Sequence, residues 1–194
     1  MLNWKGCAHM SGRFEESLIR HCAATLAGHK CGSLFSYRSA PDEDTAAHIA
    51  EINVLISGKG LRARLLKRCP HGDLVYLYRP AMLEARLCAP ETARFLETLG
   101  YGGLSMEGCL AALAQRIHCG EFPHEIGVFL DYPLADVMGF IENGGCNCCC
   151  SGCWKAYSNA ADAQKRFMLY RKCRDVYLNC YRRGFGVSRL AVAA

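Results

Sequence analysis

The stretch Leu61-Arg-Ala-Arg-Leu-Leu-Lys-Arg68 decides the fold, because its alternation of side chains is the clearest strand pattern in the chain. Its arginines share one face of a strand, while Leu61, Ala63 and Leu65 share the other. The next residues, Cys69-Pro-His-Gly-Asp73, have the composition of a turn, and Leu74-Val-Tyr-Leu-Tyr78 follows as a returning strand. The pattern predicts an antiparallel hairpin with one solvated face.

Helical periodicity dominates the rest of the sequence. It predicts helices over 13–27, 43–57, 81–88, 91–99, 105–118, 123–130, 133–142 and 159–183. Extended structure is predicted at 32–37, with short strands at 154–157 and 187–192. Together these elements predict an α+β fold, in which a small antiparallel sheet is packed with several helices.

The length of 194 residues suits a single domain. We expect a disordered N-terminal extension over 1–11 and one α+β domain over 12–194, with a cysteine-rich loop at 144–153. No apolar run approaches the roughly 20 residues of a membrane span, and Met1–His9 lacks the apolar core of a signal peptide. The sequence therefore predicts a cytoplasmic protein with reduced thiols.

The cysteine-rich loop is the strongest chemical signal in the chain. Its five thiols are Cys146, Cys148, Cys149, Cys150 and Cys153. The two-residue spacing of Cys150 and Cys153 lets both sulfurs reach one ion, and Cys146 with Cys148 forms a second potential pair. This arrangement predicts a soft-metal site for zinc, iron or an iron–sulfur cluster, with Cys149 as a spare or bridging thiolate.

Two other interpretations of the loop stay open. One of its thiolates could serve as the nucleophile or redox centre of a thiol enzyme or switch. The five thiols could also be without function, because consecutive cysteines such as Cys148, Cys149 and Cys150 cannot all point at one centre without strain. Whether the protein is an enzyme is left open by the sequence.

Positive charge is concentrated near the C-terminus. The net charge of the chain is +5. Between Lys165 and Arg189 there are eight basic residues against one acidic residue, Asp175. The simpler interpretation is a solvated helix face; the alternative is an adaptor surface that docks an acidic partner such as a flavodoxin. We do not expect nucleic acid or a membrane as a partner.

The remaining cysteines and histidines give weaker signals. His124-Glu125 would need a second histidine at position 128 to form a zinc-protease motif, and that residue is Val128. Buried cysteine is the preferred interpretation for Cys22 and Cys31, with a Cys–His catalytic pair as the alternative. Other Cys/His neighbours occur at Cys7/His9 and Cys69/His71.

Several segments resemble an uncharacterised bacterial family, domain of unknown function 3793. They are Thr25–Gly28, Ser33–Ser36, Leu74–Arg79, Phe122–Asn143 and Gly152–Tyr157, and the resemblance extends over about residues 12–192. The chain departs from the family pattern at Ala24, where a proline is expected, and in its longer run of cysteines. Members are encoded near flavodoxin and ferrous-iron transport genes. The resemblance therefore implies iron or redox physiology and a flavodoxin or iron-transport related protein as partner.

Overall fold

A computed structural model describes residues 12–119 and 122–193. The helices are α1 (Gly12–Leu26), α2 (Thr45–Ile56), α3 (Pro80–Cys88), α4 (Pro90–Thr98), α5 (Met106–Cys119), α6 (Ile126–Phe129), α7 (Leu134–Glu142), α8 (Ala160–Arg182) and α9 (Val187–Leu190). The strands are β1 (Gly32–Tyr37), β2 (Arg62–Lys67), β3 (Asp73–Tyr78), β4 (Cys150–Ser151) and β5 (Lys155–Ala156). The extension predicted over 1–11, which includes Cys7 and His9, lies outside the described residues.

The predicted hairpin is confirmed and forms the centre of the fold. Strands β2 and β3 pair in antiparallel fashion, and β1 adds to the other edge of β3, giving the strand order β1-β3-β2. Tyr78 lies opposite both Gly32 of β1 and Arg62 of β2. A second sheet contains only β4 and β5. These two small antiparallel sheets among helices confirm the α+β class.

The prediction of one solvated sheet face is wrong, because helices cover both faces of β3. Val75 and Leu77 pack with α1 and α2 in one core cluster, while Tyr76 and Tyr78 pack with helices α3 to α7 in another. A register irregularity between Leu65 and Lys67 interrupts the alternation of β2. The alternation of side chains along the strands does not predict this arrangement, because tyrosine and arginine occur on both buried and solvent-exposed sheet faces.

The strand predicted over 187–192 is also wrong, since Val187–Leu190 forms the short helix α9. The Glu15 carboxylate accepts the backbone N–H of Val187 at 2.6 Å, which satisfies a donor at the start of this helix. The residues that follow run to the end of α1, where the Val192 N–H donates to the Leu26 carbonyl at 3.0 Å. The Glu15 carboxylate and the C-terminal end of α1 therefore stabilise α9 and the segment that follows it.

Helix α8 packs along α1, and the two helices frame one side of the molecule. The connection from α1 to β1 and the cysteine-rich loop approach the same region. Among the described residues, no helix combines the length and apolar character needed to cross a membrane.

Candidate functional site

A cleft with a volume of about 1000 Å³ lies between α1, α8 and the cysteine-rich loop. Five basic side chains line it: Arg20, Lys30, Arg171, Arg174 and Arg182. Asp175 is the carboxylate among the lining residues. The cleft is therefore strongly cationic, and low-dielectric walls concentrate such a field.

The arginines of α8 reach the cleft because their spacing places them on one helical face. Arg171, Arg174 and Arg182 are separated by three and eight residues, which places them within about 80° of one another around the helix axis. Leu178 lies on the same face and is buried between α8 and the core. Part of the basic cluster that sequence predicted as a solvated helix face thus lines a concave surface.

Lys30 is brought into the cleft by the way α1 ends. Gly28 adopts a left-handed conformation with φ of 80°, and its N–H donates to the Thr25 carbonyl at 3.1 Å. The N–H of His29 donates to the Ala24 carbonyl at 2.9 Å, which completes a Schellman motif. The chain reverses there, so that Lys30 faces α8 immediately before β1 begins.

Arg79 secures this helix end from beneath. Its side chain is almost fully buried, and its guanidinium donates to the carbonyls of Thr25 at 2.7 Å, Leu26 at 2.9 Å and Val192 at 2.8 Å. A cation at a helix C-terminus is favourable because the last carbonyls carry partial negative charge. The position of Lys30 therefore depends on a well-satisfied buried network.

Lys30 differs from Arg79, whose hydrogen-bond donors are paired with backbone carbonyls. Its side chain is only 8% exposed, yet its amine makes no hydrogen bond or ion pair within residues 12–119 and 122–193. The Nζ atom lies 5.3 Å from the ring centroid of Tyr132 and 5.6 Å from that of Tyr170. These rings stabilise the cation through their negative faces, but they supply no anionic oxygen.

Burial lowers the pKa of Lys30, against the opposing effect of nearby groups that become negative on ionisation, namely Cys22, Cys153, Cys31 and Asp131. The pKa of His21, which also lines the cleft, is lowered by burial and by the charges of Arg20 and Arg174. Burial thus disfavours the protonated form of both side chains, and the two arginines add to this effect at His21. A bound anion would favour the protonated forms and raise both pKa values.

The polar groups next to Lys30 form hydrogen bonds with one another and do not pair with its amine. Asp131 accepts the backbone N–H of Cys31 at 3.3 Å, and the Cys31 thiol donates to the Phe129 carbonyl at 3.6 Å. Burial raises the pKa of Cys31 to about 12 and raises that of Cys22 still further. Both thiols are therefore protonated at neutral pH, as the preferred interpretation of buried cysteine expects.

The cysteine-rich loop is held by Asp136 and by aromatic packing. Trp154 donates its indole N–H to the Asp136 carboxylate at 2.7 Å and stacks on Tyr132 with ring centroids 5.0 Å apart. Gly152 lies against the Phe167 ring so closely that a Cβ atom there would overlap it. These contacts determine how the loop meets α8.

Three of the five loop thiols have different surroundings. Cys149 donates to the Ala156 carbonyl at 3.1 Å, Cys150 packs with the Trp154 cluster, and Cys153 lines the cationic cleft. Cys146 is exposed, and Cys148 is half-buried. Within the described chain, no group of three or more Cys, His, Asp or Glu residues is arranged to hold a metal ion.

The assignment of Cys146, Cys148, Cys149, Cys150 and Cys153 as ligands stays a prediction. Elemental analysis of anaerobically purified protein tests it: stoichiometric metal that is lost on Cys150→Ser would support the assignment.

The family comparison agrees with the resemblance noted in the sequence. The family described as "Protein of unknown function (DUF3793)" matches residues 18–191. The chain belongs to this family. No curated protein and no solved structure matches it.

For this DUF3793 member, sequence reasoning missed Lys30, Tyr132 and Tyr170 as site residues. A lysine normally extends into solvent, and tyrosines are ordinary core residues. The one available signal was the position of Lys30 between Gly28 and the apolar start of β1, where a charged residue interrupts a buried segment. Of the loop cysteines, the structure brings Cys153 to these residues.

Proposed function

We propose that this protein binds a small molecule bearing at least two anionic phosphate or carboxylate groups in the cleft between α1 and α8. The observation that supports this most directly is Lys30: its side chain is only 8% exposed and lines the cleft, and its amine has no anionic partner among the described residues. Burying a charge is costly unless it is paired, and a ligand oxygen would supply the missing pair.

The arginines explain why the ligand should carry more than one anionic group. Guanidinium groups bind phosphate and carboxylate through two parallel hydrogen bonds. Arg171 makes no ion pair in the described residues, and Arg174 pairs with the exposed neighbour Asp175 at 3.1 Å. The burial-raised pKa of Tyr170 keeps its hydroxyl protonated, so it can donate to an anion.

Calorimetric titration with inorganic pyrophosphate and with citrate tests the proposal. We expect saturable binding, weakened about tenfold or more by Lys30→Gln or Arg174→Gln, which corresponds to about 1.4 kcal/mol. Lys172→Gln is the matched control, because Lys172 is exposed on the same helix and does not line the cleft. Equal weakening by all three substitutions would indicate nonspecific charge attraction and contradict the proposal.

The imidazole of His21 provides an independent readout by NMR. Because Arg20 and Arg174 contribute to its lowered pKa, a bound anion should partly neutralise their effect and raise that pKa. A His21 titration curve unchanged by saturating pyrophosphate would place any binding elsewhere.

The predicted roles in metal handling and redox support, and the predicted flavodoxin or iron-transport partner, are separate proposals. Docking of an acidic protein would use exposed basic residues outside the cleft, such as Lys172 of α8 and Arg183, which directly follows this helix. Binding to flavodoxin that is unchanged between low and high salt would remove this second proposal.

A further inference from the structure

Anion binding alone does not explain why the buried cation is a lysine. The neighbouring cleft residues Arg20, Arg171, Arg174 and Arg182 already supply fixed charge, and a guanidinium stays protonated at any physiological pH. A lysine differs from them because its amine can lose a proton and become a nucleophile. Lys30 is therefore both largely buried and chemically able to react.

We infer that Lys30 forms a covalent imine with the aldehyde or ketone group of an anionic carbonyl compound bound in this cleft. The inference rests on the proposed function, since the arginines would hold the anionic group while the amine meets the carbonyl carbon. It also narrows the substrate class to small aldehydes or ketones that carry at least two carboxylate or phosphate groups.

Imine formation needs only groups that the site and substrate supply. The ammonium of Lys30 releases a proton, and the nitrogen lone pair adds to the carbonyl carbon to give a carbinolamine. Loss of the carbonyl oxygen as water leaves a C=N bond in place of the C=O bond. The products are the imine, one water molecule and one proton, so no oxidant or reductant takes part.

The geometry supports the amine as the reacting group. Lys30 lines the cleft, and no hydrogen bond within the described residues holds its nitrogen. A lysine that is desolvated is activated as a nucleophile, and Lys30 meets this condition because its side chain is only 8% exposed. The direction of its pKa, lowered mainly by burial, agrees with a larger neutral fraction than a surface lysine has.

The ionisable groups around Lys30 come from several elements. They are Cys22 of α1, Cys31, Asp131, Tyr132, Cys153, Tyr170 of α8 and the four cleft arginines. Ionisation of Asp131 or of the thiols favours the ammonium, whereas burial favours the neutral amine. The lowered pKa is the net result of these opposing effects.

Lys155 is a matched internal control. Its Nζ also lies beside an aromatic ring, 6.0 Å from the centroid of Phe140, but it donates a hydrogen bond to the Gly145 carbonyl at 2.6 Å. It does not line the cationic cleft. Both lysines therefore lie beside an aromatic ring. Lys30 differs because it lines the cationic cleft and its amine has no hydrogen bond among the described residues.

Reductive trapping on the full chain tests the inference. The protein is incubated near neutral pH with glyoxylate, an anionic aldehyde, or acetaldehyde, a neutral one, together with cyanoborohydride. Peptide mapping by mass spectrometry then measures the rate of adduct formation at each lysine. A cationic cleft concentrates anionic reagents by about tenfold or more, so we expect glyoxylate to label Lys30 at least about tenfold faster than Lys155.

Acetaldehyde should show much weaker selectivity, and pyrophosphate should slow labelling of Lys30 by glyoxylate without affecting Lys155. Equal labelling of the two lysines by glyoxylate would overturn the inference. This comparison uses the wild-type protein, so it does not depend on the folding of any variant.

Two measurements on the wild-type protein separate the inference from the proposed function, namely pyrophosphate binding by calorimetry and selective trapping of Lys30. Lys30→Arg removes the reactive amine, so the glyoxylate adduct found in this peptide of the wild-type protein should disappear. Pyrophosphate binding without selective labelling of wild-type Lys30 would overturn imine formation alone. Absence of both would overturn the proposed function as well.

Discussion

Trp154 donates its indole N–H to the carboxylate of Asp136 across 2.7 Å, which joins the end of the cysteine-rich loop to helix α7. The other oxygen of Asp136 accepts the backbone N–H groups of Tyr157 and Ser158 and the Ser158 hydroxyl, each at 2.8 Å. Asp136 is only 2% exposed. One buried carboxylate thus organises the segment that leads from the loop into α8.

Replacement of Asp136 should destabilise the protein. Asp136→Asn removes the charge and turns an NH₂ group toward hydrogen-bond donors, so we expect the free energy of unfolding to fall by about 3 kcal/mol. Urea unfolding followed by Trp154 fluorescence measures the change. The exposed acid Asp42 provides the matched control through Asp42→Asn. Similar unfolding midpoints for both variants would contradict the anchoring role of Asp136.

The same carboxylate predicts sensitivity to acid. Burial opposes ionisation of Asp136, but its hydrogen bonds with Tyr157, Trp154 and Ser158 outweigh this effect and lower its pKa. A lowered pKa stabilises the fold fully above the ordinary carboxyl range, near pH 4, and this stabilisation is lost as pH falls through the folded-state pKa. Stability measured from pH 7 down to pH 3 should therefore fall more steeply in wild type than in Asp136→Asn. Parallel curves would exclude Asp136 as the source.

The sequence predicted the hairpin, most helices and the α+β class because these depend on local periodicity. The covering of both sheet faces was not predictable in this way, since Tyr76 and Tyr78 could equally have faced solvent. The helix at Val187–Leu190 was not predicted, because the spacing of apolar residues over 187–192 favours a strand. The helix is stabilised by the distant Glu15 carboxylate, which accepts the Val187 N–H in its first turn.

The candidate site was predictable only in part. The basic face of α8 was visible in the sequence, but its cleft requires α1 to pack alongside. Burial of Lys30 depends on Tyr132 and Tyr170, which lie about 100 and 140 residues away along the chain and meet it only through the tertiary fold. Spacing suggested that the loop thiols converge, whereas three of them have different surroundings.

The cationic cleft should make Cys153 selective for anionic reagents. We expect the ratio of its alkylation rates with iodoacetate and iodoacetamide to exceed the ratio at Cys146 about tenfold at low salt, because a positive cleft concentrates anions. Cys146 is a matched internal control, since it is exposed on the same loop but does not line the cleft. Peptide-level mass spectrometry gives both rates.

Arg171→Gln should reduce the selectivity of Cys153, and added pyrophosphate should slow its alkylation by iodoacetate. Both effects should weaken in high salt, where charges are screened. Equal rate ratios at Cys153 and Cys146 would contradict a cationic environment at Cys153. The same measurement tests the sequence-based prediction that one loop thiol is more reactive than the others.

Lys30 should reduce the stability of the unliganded protein, because its largely desolvated amine has no anionic partner among the described residues. Lys30→Met fills similar space without a buried ammonium, so we expect the free energy of unfolding to rise by about 1–2 kcal/mol while pyrophosphate binding is lost. Lys59→Met is the contrasting control. The amine of Lys59 donates to the carbonyls of Ser188 and Ala191, the latter at 2.7 Å, so its removal should destabilise the protein.

The pH dependence of this difference provides a further check. Between the lowered pKa of folded Lys30 and the ordinary lysine value near 10.5, the unfolded chain binds more protons than the folded chain. Wild type should therefore gain stability as pH rises through this window, and its deficit relative to Lys30→Met should shrink. Urea unfolding at pH 7 and pH 9.5 measures both variants. A deficit that grows with pH, or a Lys30→Met variant less stable than wild type at pH 7, would contradict an unpaired buried ammonium at this position.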